Sequence, residues 1–361
     1  MLNVVGVTYE HNPNYGSCLQ AYALKETIEN MQVGTEKCHY SLIPANTINK
    51  VKSWKTKINK MASNVFTRKF IPFYREHMDY CNVKSIKELE SLSKRTDAFV
   101  CGSDVIWNST HNRGNMDLYC LGFANKYKFS YAASFGKTDI RPELTEKTIS
   151  LIKDLDSISV REKSAADVLQ PIIGKKVFTA LDPVFLLTRK QWNTIIPSVK
   201  KKEKYIFSYT THTTQEYEGF LKKLSDQTGL KVISVKWRAS LRQIKEIASS
   251  QGYPPEEWLR LLRDAEYVVT NSFHGTAFSV IFHKAFFTVI SGDKFSGIYT
   301  RMGELLDELK LDWRIYNSVP ETIDVSEFSY DEADLILAGK RKESLRFIQD
   351  NLTRAYEQKG I

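Results

Sequence analysis

The 361-residue sequence has no long apolar run, no internal repeat, no low-complexity tract and no CxxC pair. Because no apolar run approaches the roughly 18 residues of a membrane span, we expect no segment that crosses a bilayer. The five cysteines are odd in number and widely spaced, which argues against a disulfide framework or a zinc site and favours reduced thiols. His, Cys and carboxylate residues show no metal-ligand spacing, so we expect no bound metal.

The composition is that of a soluble globular protein, with 42% hydrophobic and 26% charged residues, which excludes a disordered chain. At about 150 residues per domain, the length predicts two domains. Lys and Arg number 51 against 42 Asp and Glu, and the net charge of +9 favours anionic partners such as phosphates, nucleic acid or an acidic membrane surface. Residues 1–8 predict a β-strand instead of a signal peptide, so we expect a cytoplasmic protein.

Short β-branched or aromatic runs alternate with stretches of helical periodicity along the chain. The predicted strands are 3–8, 98–101, 129–133, 157–160, 205–209, 231–235, 267–270 and 286–290. The predicted helices are 18–31, 162–169, 215–228, 255–264, 275–282 and 341–358. This alternation is typical of parallel sheets with helices on both faces, so we expect two doubly wound, Rossmann-like α/β domains that face each other across a cleft.

The basic stretch 199–204 is the best candidate for a linker between the two domains. We therefore predict an N-terminal Rossmann-like domain at 1–198, which would bind an acceptor, and a C-terminal Rossmann-like domain at 199–335, which would bind a donor. Residues 336–361 would form a C-terminal helix that packs back on the N-terminal domain.

The segment 267–277 predicts a strand that runs through a polar turn into a helix. Ligands of doubly wound sheets bind outside the carboxyl ends of strands, and backbone amides at a helix start can hold an anion. Gly275 and Thr276 are small enough for close approach of a ligand, and His274 would place a titratable imidazole there. The alternative is a core histidine capped by Ser272.

Two cations follow the next predicted strand at the same sheet edge, namely Lys294 and Arg301. Together they suit a ligand with separate phosphate and carboxylate groups, because arginine binds such groups bidentately and lysine binds them as a point charge. The alternative is a solvated loop. Arg161 lies at another strand-to-helix junction, where it could instead pair with Glu162.

The N-terminal half offers two strand-end loops that could bind a sugar. Asn14, Tyr15 and Gly16 lie between the first strand and the first helix, where such folds bind phosphates or sugars, although any such turn favours Gly and a capping residue. Ser103, Asp104 and Trp107 follow a second strand, and an acid beside an aromatic ring would suit a sugar. A core position is an equally good interpretation of Trp107.

Residues 50–75 carry eight basic side chains and no acid. Trp54, Ile58, Met61 and Val65 share one face at helical spacing, whereas Lys52, Lys55, Lys57 and Lys60 lie off that face. This pattern predicts a basic amphipathic helix that either packs on its own domain or contacts an anionic membrane surface.

Taken together, these segments resemble the polysaccharide pyruvyl transferase family across nearly the whole chain. The matching motifs lie at 14–24, 101–108, 130–136, 159–162, 181–183 and 270–276. The resemblance implies a two-domain arrangement similar to the GT-B glycosyltransferases. It also implies transfer of a pyruvyl group from phosphoenolpyruvate onto two sugar hydroxyls, with phosphoenolpyruvate as co-substrate and no further cofactor.

By the same resemblance, Arg161, His274 and Lys294 should bind phosphoenolpyruvate or act on it. The chain departs from the family at two positions. Ser272 stands where one branch has an arginine, so we expect Arg301 or the helix-start amides to supply that contact, and Val105 stands where relatives usually have glutamine.

We therefore expect a ketal pyruvyltransferase that modifies a sugar of a cell-surface polysaccharide or its lipid-linked precursor. His274 would be the acid–base residue, and Asp104 would orient or deprotonate an acceptor hydroxyl. The alternatives are a GT-B-type glycosyltransferase that uses a nucleotide sugar and a non-catalytic binding module. We expect no nucleic-acid partner, because the basic residues are not interleaved with stacking aromatics.

Overall fold

A computed structural model describes residues 1–9, 14–44, 68–83, 85–112, 114–199, 203–236, 252–290 and 297–359. The N-terminal half contains a five-stranded sheet in the order β2-β3-β1-β4-β5. Its strands are β1 (Leu2–Val7), β2 (Gln32–Val33), β3 (Glu36–Leu42), β4 (Ala98–Cys101) and β5 (Tyr127–Ser130). All neighbouring pairs are parallel except β2 with β3. The all-buried apolar β4, which lies between β1 and β5, is typical of a strand covered on both faces.

A short parallel pair extends this half beyond β5. It consists of β6 (Ile158–Val160) and β7 (Val177–Thr179). Single bridges from Phe129 to Ser157 and from Ala133 to Val160 join β6 to the chain around β5. The carboxyl ends of β1, β4 and β6 therefore lie on the same side of this half.

The C-terminal half contains a second five-stranded sheet, in the order β12-β11-β10-β8-β9, and all its neighbouring pairs are parallel. Its strands are β8 (Tyr205–Thr210), β9 (Lys231–Lys236), β10 (Tyr267–Thr270), β11 (Ala285–Val289) and β12 (Ile315–Tyr316). The strand order changes direction next to β10, and ligands of open α/β sheets bind at such positions.

Helices connect the strands of both halves. Those of the N-terminal half are α1 (Tyr15–Glu29), α2 (Ile86–Ser93), α3 (Met116–Tyr119), α4 (Glu146–Lys153), α5 (Lys163–Ile173) and α6 (Arg189–Ile195). Those that follow are α7 (Gln215–Thr228), α8 (Pro255–Asp264), α9 (Phe273–Ile281), α10 (Gly297–Glu308) and α11 (Asp331–Lys359). Residues 68–77 are also helical.

The two halves share one apolar core. Tyr15 at the start of α1 stacks on Trp258 of α8 at 5.0 Å, and Trp192 of α6 packs edge-on against Phe278 of α9 at 4.9 Å. These aromatic contacts join helices of the N-terminal half to helices of the C-terminal half. Because α1 packs on α8 and α9 in this way, the loops at the start of α1 and α9 are brought together.

The C-terminal helix α11 runs from one half to the other. Near its start, Asp334 pairs with His283, which follows α9. Further along, Ser344 accepts a hydrogen bond from the Leu181 amide, and Asn351 accepts one from the Tyr127 hydroxyl at 2.8 Å. The second half of the helix therefore lies against the N-terminal sheet.

Two general expectations concern the cysteines and membrane-spanning helices. All five cysteines are free thiols. Within the described ranges, no helix is both long enough and apolar enough to cross a membrane.

Candidate active site

Strand-end residues from both halves meet around the carboxylate of Asp182. The Asp182 Oδ2 atom accepts hydrogen bonds from Arg161 Nη1 at 2.9 Å and from Ser103 Oγ at 3.0 Å. His274 Nε2, from the other half, lies 3.6 Å from the same oxygen. Burial alone would raise the pKa of Asp182, but the neighbouring His274 and Arg161 outweigh it and hold the pKa of this carboxyl well below its usual range.

The Arg161 guanidinium is enclosed by acids and by one aromatic ring. Its Nε donates to Glu162 Oε1 at 3.0 Å, and its Cζ lies 4.2 Å from the centre of the Phe273 ring. Burial would lower the pKa of Arg161, but Glu162, Asp182 and Asp104 together raise it, so the group stays charged. Its Nη2 is buried and has no hydrogen-bond partner among the described residues. Pairing with Glu162 therefore occurs, but it leaves one donor of Arg161 unused.

His274 lies in the first turn of α9, in the loop-to-helix position that the sequence indicates. Its side chain is only 9% exposed. On the side opposite Asp182 it packs against Gly16, where a Cβ would lie 2.0 Å from His274 Nδ1. The residue is therefore buried, but it is held between a charged carboxylate and the start of α1 instead of within an apolar core.

Asp104 lies close to this group at the end of β4. Its Oδ2 accepts a hydrogen bond from Ser17 Oγ at 2.5 Å, and its Oδ1 accepts one from the Val105 amide. Its φ of 76° lies in the left-handed region, which costs free energy for a residue other than glycine. A buried, strained carboxylate at a strand end is a pattern that functional sites often show.

At both helix starts, amides that could bind an anion already donate within the protein. At α1, Asn14 Oδ1 accepts from the amides of Gly16 and Ser17, so these donors are already used within the loop. At α9, the Thr276 amide donates to Ser272 O and its hydroxyl pairs with Thr288, so Thr276 is also occupied internally.

Gly275 must lack a side chain because it packs closely against Thr270 of the same half. A Cβ at this residue would lie 2.3 Å from Thr270 Oγ1. The Ser272 side chain faces Tyr209, whose pKa is raised by burial and lowered in part by this serine. The serine is thus directed into the fold of the C-terminal half.

A cavity of about 420 Å³ opens beside Arg161, between the two halves and α11. Arg161, Asp182, Phe273 and Arg301 are among the residues that line it. The pKa of Arg301 is lowered by burial and by the nearby charge of Arg161. Two guanidinium groups therefore lie near each other at one cavity, whose lining also includes acidic side chains such as Glu162 and Glu304.

Two of the predicted acceptor residues do not face this site. Trp107 is fully buried, packs beside Phe135 and donates from Nε1 to Tyr119 O, so the core interpretation is the one that the structure supports. The Tyr15 ring is buried against Trp258, and its hydroxyl contacts the backbone of Tyr253.

Two other predictions fall largely outside the part of the chain that the structure describes. Lys294 lies outside the described residues, as do Trp54 and the lysines of the predicted basic helix. The described end of that segment, residues 68–77, packs inward, with Phe70 and Phe73 fully buried.

Sequence reasoning missed the central role of Asp182. In the sequence, the turn at 181–183 is only one of the motifs shared with the family, and no role is predicted for Asp182. Its carboxylate caps the Pro183–Phe185 turn by accepting from the Val184 amide. The same carboxylate also joins Arg161, Ser103 and His274, which are far apart in sequence. The only sequence signal for Asp182 was its place in a turn that follows a strand, which is the kind of position from which the other site residues were predicted.

One group of metal-ligating side chains does form in the described residues, away from this site. Glu29, His39 and Asp79 bring ligand atoms within 4.8 Å of one another. Lys25 contacts both carboxylates, at 2.5 Å from Glu29 and 3.5 Å from Asp79. A cation would have to compete with this lysine.

Several solved structures are similar in fold. A UDP-GlcNAc 2-epimerase from Neisseria meningitidis bound to UDP-GlcNAc matches with a TM-score of 0.50 at 11% identity, covering 98% of this chain and 99% of that one. A UDP-N-acetylglucosamine 2-epimerase from Rickettsia bellii matches with a TM-score of 0.49 at 12% identity, covering 98% and 97%. An E. coli heptosyltransferase with ADP gives a TM-score of 0.41 at 12% identity, covering 94% and 100%.

At 11% identity, the likeness with a TM-score of 0.50 shows the fold alone, which is the GT-B arrangement of two Rossmann-like domains that the sequence predicts. No curated protein sequence matches the chain. The sequence profile of the polysaccharide pyruvyl transferase family, in contrast, matches residues 14–293, which contain Asp104, Arg161, Asp182 and His274. The chain therefore belongs to the polysaccharide pyruvyl transferase family and is a transferase.

Proposed function

We propose that this enzyme transfers the pyruvyl group of phosphoenolpyruvate onto two hydroxyls of one sugar, in a cell-surface polysaccharide or its lipid-linked precursor. The products would be a cyclic ketal and inorganic phosphate. The observation that carries the proposal is the convergence of Arg161, Arg301, His274 and Asp104 where the two halves meet. Family membership supplies the reaction class, and this group supplies charges of the kinds that the reaction needs.

The donor carries a carboxylate and a phosphate, so its site needs more than one cation. Arg161 offers a buried Nη2 that no described residue bonds. Arg301 lines the same cavity, and its lowered pKa reflects burial next to Arg161. We assign these two arginines to the donor, with Arg301 supplying the charge that is absent at Ser272. Lys294 remains a third cation in the proposal, on sequence grounds.

The chemistry requires the transfer of two protons. One sugar hydroxyl loses its proton and bonds to C2 of phosphoenolpyruvate, while the neighbouring methylene carbon gains a proton and becomes a methyl group. A second hydroxyl then bonds to the same carbon as the C–O bond to phosphate breaks, and its proton passes to the departing phosphate. His274 is the residue we assign to acid–base transfer, because a positioned imidazole can both give and accept a proton near neutral pH.

Asp104 is the residue we assign to the acceptor hydroxyl. Support for this assignment comes from its Oδ2, which accepts a hydrogen bond from the hydroxyl group of Ser17. Because Tyr15 and Trp107 are buried, the acceptor contacts in this proposal reduce to Asn14, Gly16, Ser103 and Asp104, of which Ser103 is itself bonded to Asp182.

The proposal is tested by phosphate release from phosphoenolpyruvate in the presence of a panel of oligosaccharides and lipid-linked sugars. We expect release to depend on an acceptor and to accompany a mass gain of one pyruvyl group on that acceptor. A GT-B-type glycosyltransferase would instead release a nucleotide from a nucleotide sugar. Turnover of nucleotide sugars without turnover of phosphoenolpyruvate would overturn the proposal.

A lipid-linked acceptor would bring the enzyme to the inner face of an anionic membrane. The basic segment 50–75 is the contact we propose for that surface, because each lysine near an anionic bilayer contributes about 1 kcal/mol of binding free energy. This part of the proposal rests on charge and periodicity in the sequence.

A further inference from the structure

The two nitrogens of the His274 ring lie in different surroundings. Nε2 is buried, has no hydrogen-bond partner among the described residues and lies 3.6 Å from Asp182 Oδ2. Nδ1 is directed toward Gly16, at the start of α1. The side facing Asp182 is therefore closed by the protein, and the remaining 9% exposure of the side chain lies elsewhere on the residue.

The Asp182 carboxylate is fixed in place by the N-terminal half. The Val184 amide donates to Oδ1 at 3.1 Å, and Arg161 and Ser103 both donate to Oδ2. A carboxylate with both oxygens bonded cannot rotate without breaking these contacts. It therefore presents a fixed negative charge to an imidazole that is supplied by the other half of the molecule.

We propose that Asp182 is a positioning residue: it holds the His274 proton on Nε2, so that Nδ1 is the nitrogen that exchanges a proton with the substrate. This inference rests on the proposed acid–base role of His274. The hydrogen bond that one ring nitrogen makes decides which nitrogen carries the proton. The 3.6 Å separation is slightly too long for a hydrogen bond, and such contacts often shorten once substrate binds.

Other charged groups near His274 and Asp182 do not offer an equivalent partner. Asp104 is bonded to Ser17, and Glu162 accepts from Arg161 and from Ser134, whereas Arg161 and Arg301 are cations. Glu304 and Glu343 line the same cavity as Asp182, and the structure describes no ion pair between either of them and the imidazole. Of the charged groups that the structure describes around the site, Asp182 is the one that an ion-pair contact joins to the imidazole.

Gly16 completes the arrangement because it places no Cβ against Nδ1. A Cβ at this position would lie 2.0 Å from Nδ1 and 2.5 Å from Cγ, so Gly16→Ala would displace the imidazole from its present position. We expect this variant to lower kcat by ~10²-fold or more, since it displaces the acid–base residue without removing it.

The direct test is to locate the imidazole proton by NMR on protein labelled with ¹⁵N-histidine, with His274→Gln used to assign the signal. At a pH where the ring is neutral, we expect the proton on Nε2 in the unmodified protein and a shift toward Nδ1 in Asp182→Asn. A proton on Nδ1 in the unmodified protein, or the same tautomer in Asp182→Asn, would overturn the inference. This readout does not depend on knowing either substrate.

The kinetic test compares Asp182→Asn with Asp334→Asn, which alters the other His–Asp pair at the far end of α9. We expect Asp182→Asn to lower kcat by ~10²- to 10⁴-fold with a smaller change in KM for phosphoenolpyruvate, and to move the pH profile of kcat. Asp334→Asn should change kcat less than about twofold.

The outcomes separate the two proposals. Unchanged kcat and an unchanged pH profile in a folded Asp182→Asn protein would overturn the positioning role. If the unmodified protein does not turn over phosphoenolpyruvate, the proposed function fails, while the tautomer measurement still decides whether Asp182 orients the ring. If Asp182→Asn does not fold, the tautomer of the unmodified protein decides it alone.

Discussion

Helix α9 has a histidine–aspartate pair at each end, and the two pairs differ in every respect that bears on function. His283 Nε2 lies 2.9 Å from Asp334 Oδ1, with side chains 35% and 47% exposed. His274 Nε2 lies 3.6 Å from Asp182 Oδ2, with side chains 9% and 0% exposed. The shorter contact is therefore the solvated one.

Burial and neighbours explain why the longer contact is the better candidate for chemistry. An exposed pair contributes little free energy, because water screens the charges and competes for them. His283 also stacks on Tyr330 at 4.6 Å, which suits a role in attaching the start of α11. The buried pair, in contrast, adjoins Arg161, Asp104 and the cavity, where charge interactions are stronger. Distance alone would favour His283, whereas burial and neighbouring charges favour His274.

The largest expected difference between the pairs is in turnover. We expect His274→Ala to lower kcat by ~10²- to 10⁴-fold because it removes a positioned acid–base group. His283→Ala should change kcat less than about twofold. Phosphate release from phosphoenolpyruvate at saturating acceptor measures both, with circular dichroism as a check on folding. Near-normal turnover by His274→Ala would remove this residue from the mechanism.

The pairs should also differ in how the stability depends on pH. The lowered pKa of Asp182 means that its charge stabilises the fold above the unfolded pKa of about 3.9 and that this contribution is lost as the pH falls below it. At neutral pH, we expect Asp182→Asn to reduce the free energy of unfolding by ~3–5 kcal/mol, since it breaks a buried ion pair.

Denaturant titrations between pH 7 and pH 3 check the direction of this pH dependence. The stability gap between the unmodified protein and Asp182→Asn should narrow as the pH falls below about 4. For the exposed pair, Asp334→Asn should stay within about 0.5 kcal/mol of the unmodified protein. A gap for Asp182→Asn that widens on acidification would show that the carboxylate is not paired as described.

The affinity for phosphoenolpyruvate should depend on the buried arginines near the cavity and not on an exposed arginine. We expect Arg301→Ala to weaken phosphoenolpyruvate binding by roughly 10- to 150-fold, because one charged hydrogen bond is worth ~1.5–3 kcal/mol. Arg161→Lys should weaken it as well, since lysine cannot keep the Glu162 and Asp182 contacts and also reach a ligand. Arg346→Ala, on an exposed face of α11, is the control. Equal affinity of all three variants at fixed salt would place the donor elsewhere.

The smallest expected effect per side chain concerns the basic segment. Replacing Lys52, Lys55, Lys57 and Lys60 with Gln should weaken binding to vesicles that contain anionic lipid, by about 1 kcal/mol for each lysine near the surface. Sedimentation with neutral vesicles is the control. If the unmodified protein does not bind anionic vesicles, only the interpretation as a helix packed on its own domain remains.

The sequence predicted elements with strong periodicity and clear ends. The helix at Gln215–Thr228 and the strand at Tyr267–Thr270 have the predicted bounds. The strand at Glu36–Leu42 was missed, although its burial alternates with the period of two that is typical of a half-covered strand. The last helix begins at Asp331 instead of 341, and its first turn carries three acids, which favour a helix N-terminus. Both signals are present in the sequence, in segments that are richer in charged residues than the predicted elements.

The candidate site was predictable from the sequence only where a residue follows a strand. His274, Arg161 and Asp104 were predicted in this way, and the structure brings them together. Asp182 was not predicted, because its contacts are with residues that are distant in sequence. Trp107 shows a second limit of prediction from sequence. An aromatic residue after a strand can pack in the core or face a sugar, and only its burial in the structure decides between these interpretations.

The central claim is that the group around Arg161 and His274 binds phosphoenolpyruvate, and thermal unfolding with added ligand tests it most directly. Ligand at 100 times its dissociation constant stabilises the folded protein by ~2.7 kcal/mol, which is a readily measured shift in Tm. We expect this shift with phosphoenolpyruvate for the unmodified protein, a much smaller shift for Arg301→Ala, and no shift with UDP-N-acetylglucosamine. Stabilisation by the nucleotide sugar and none by phosphoenolpyruvate would contradict it.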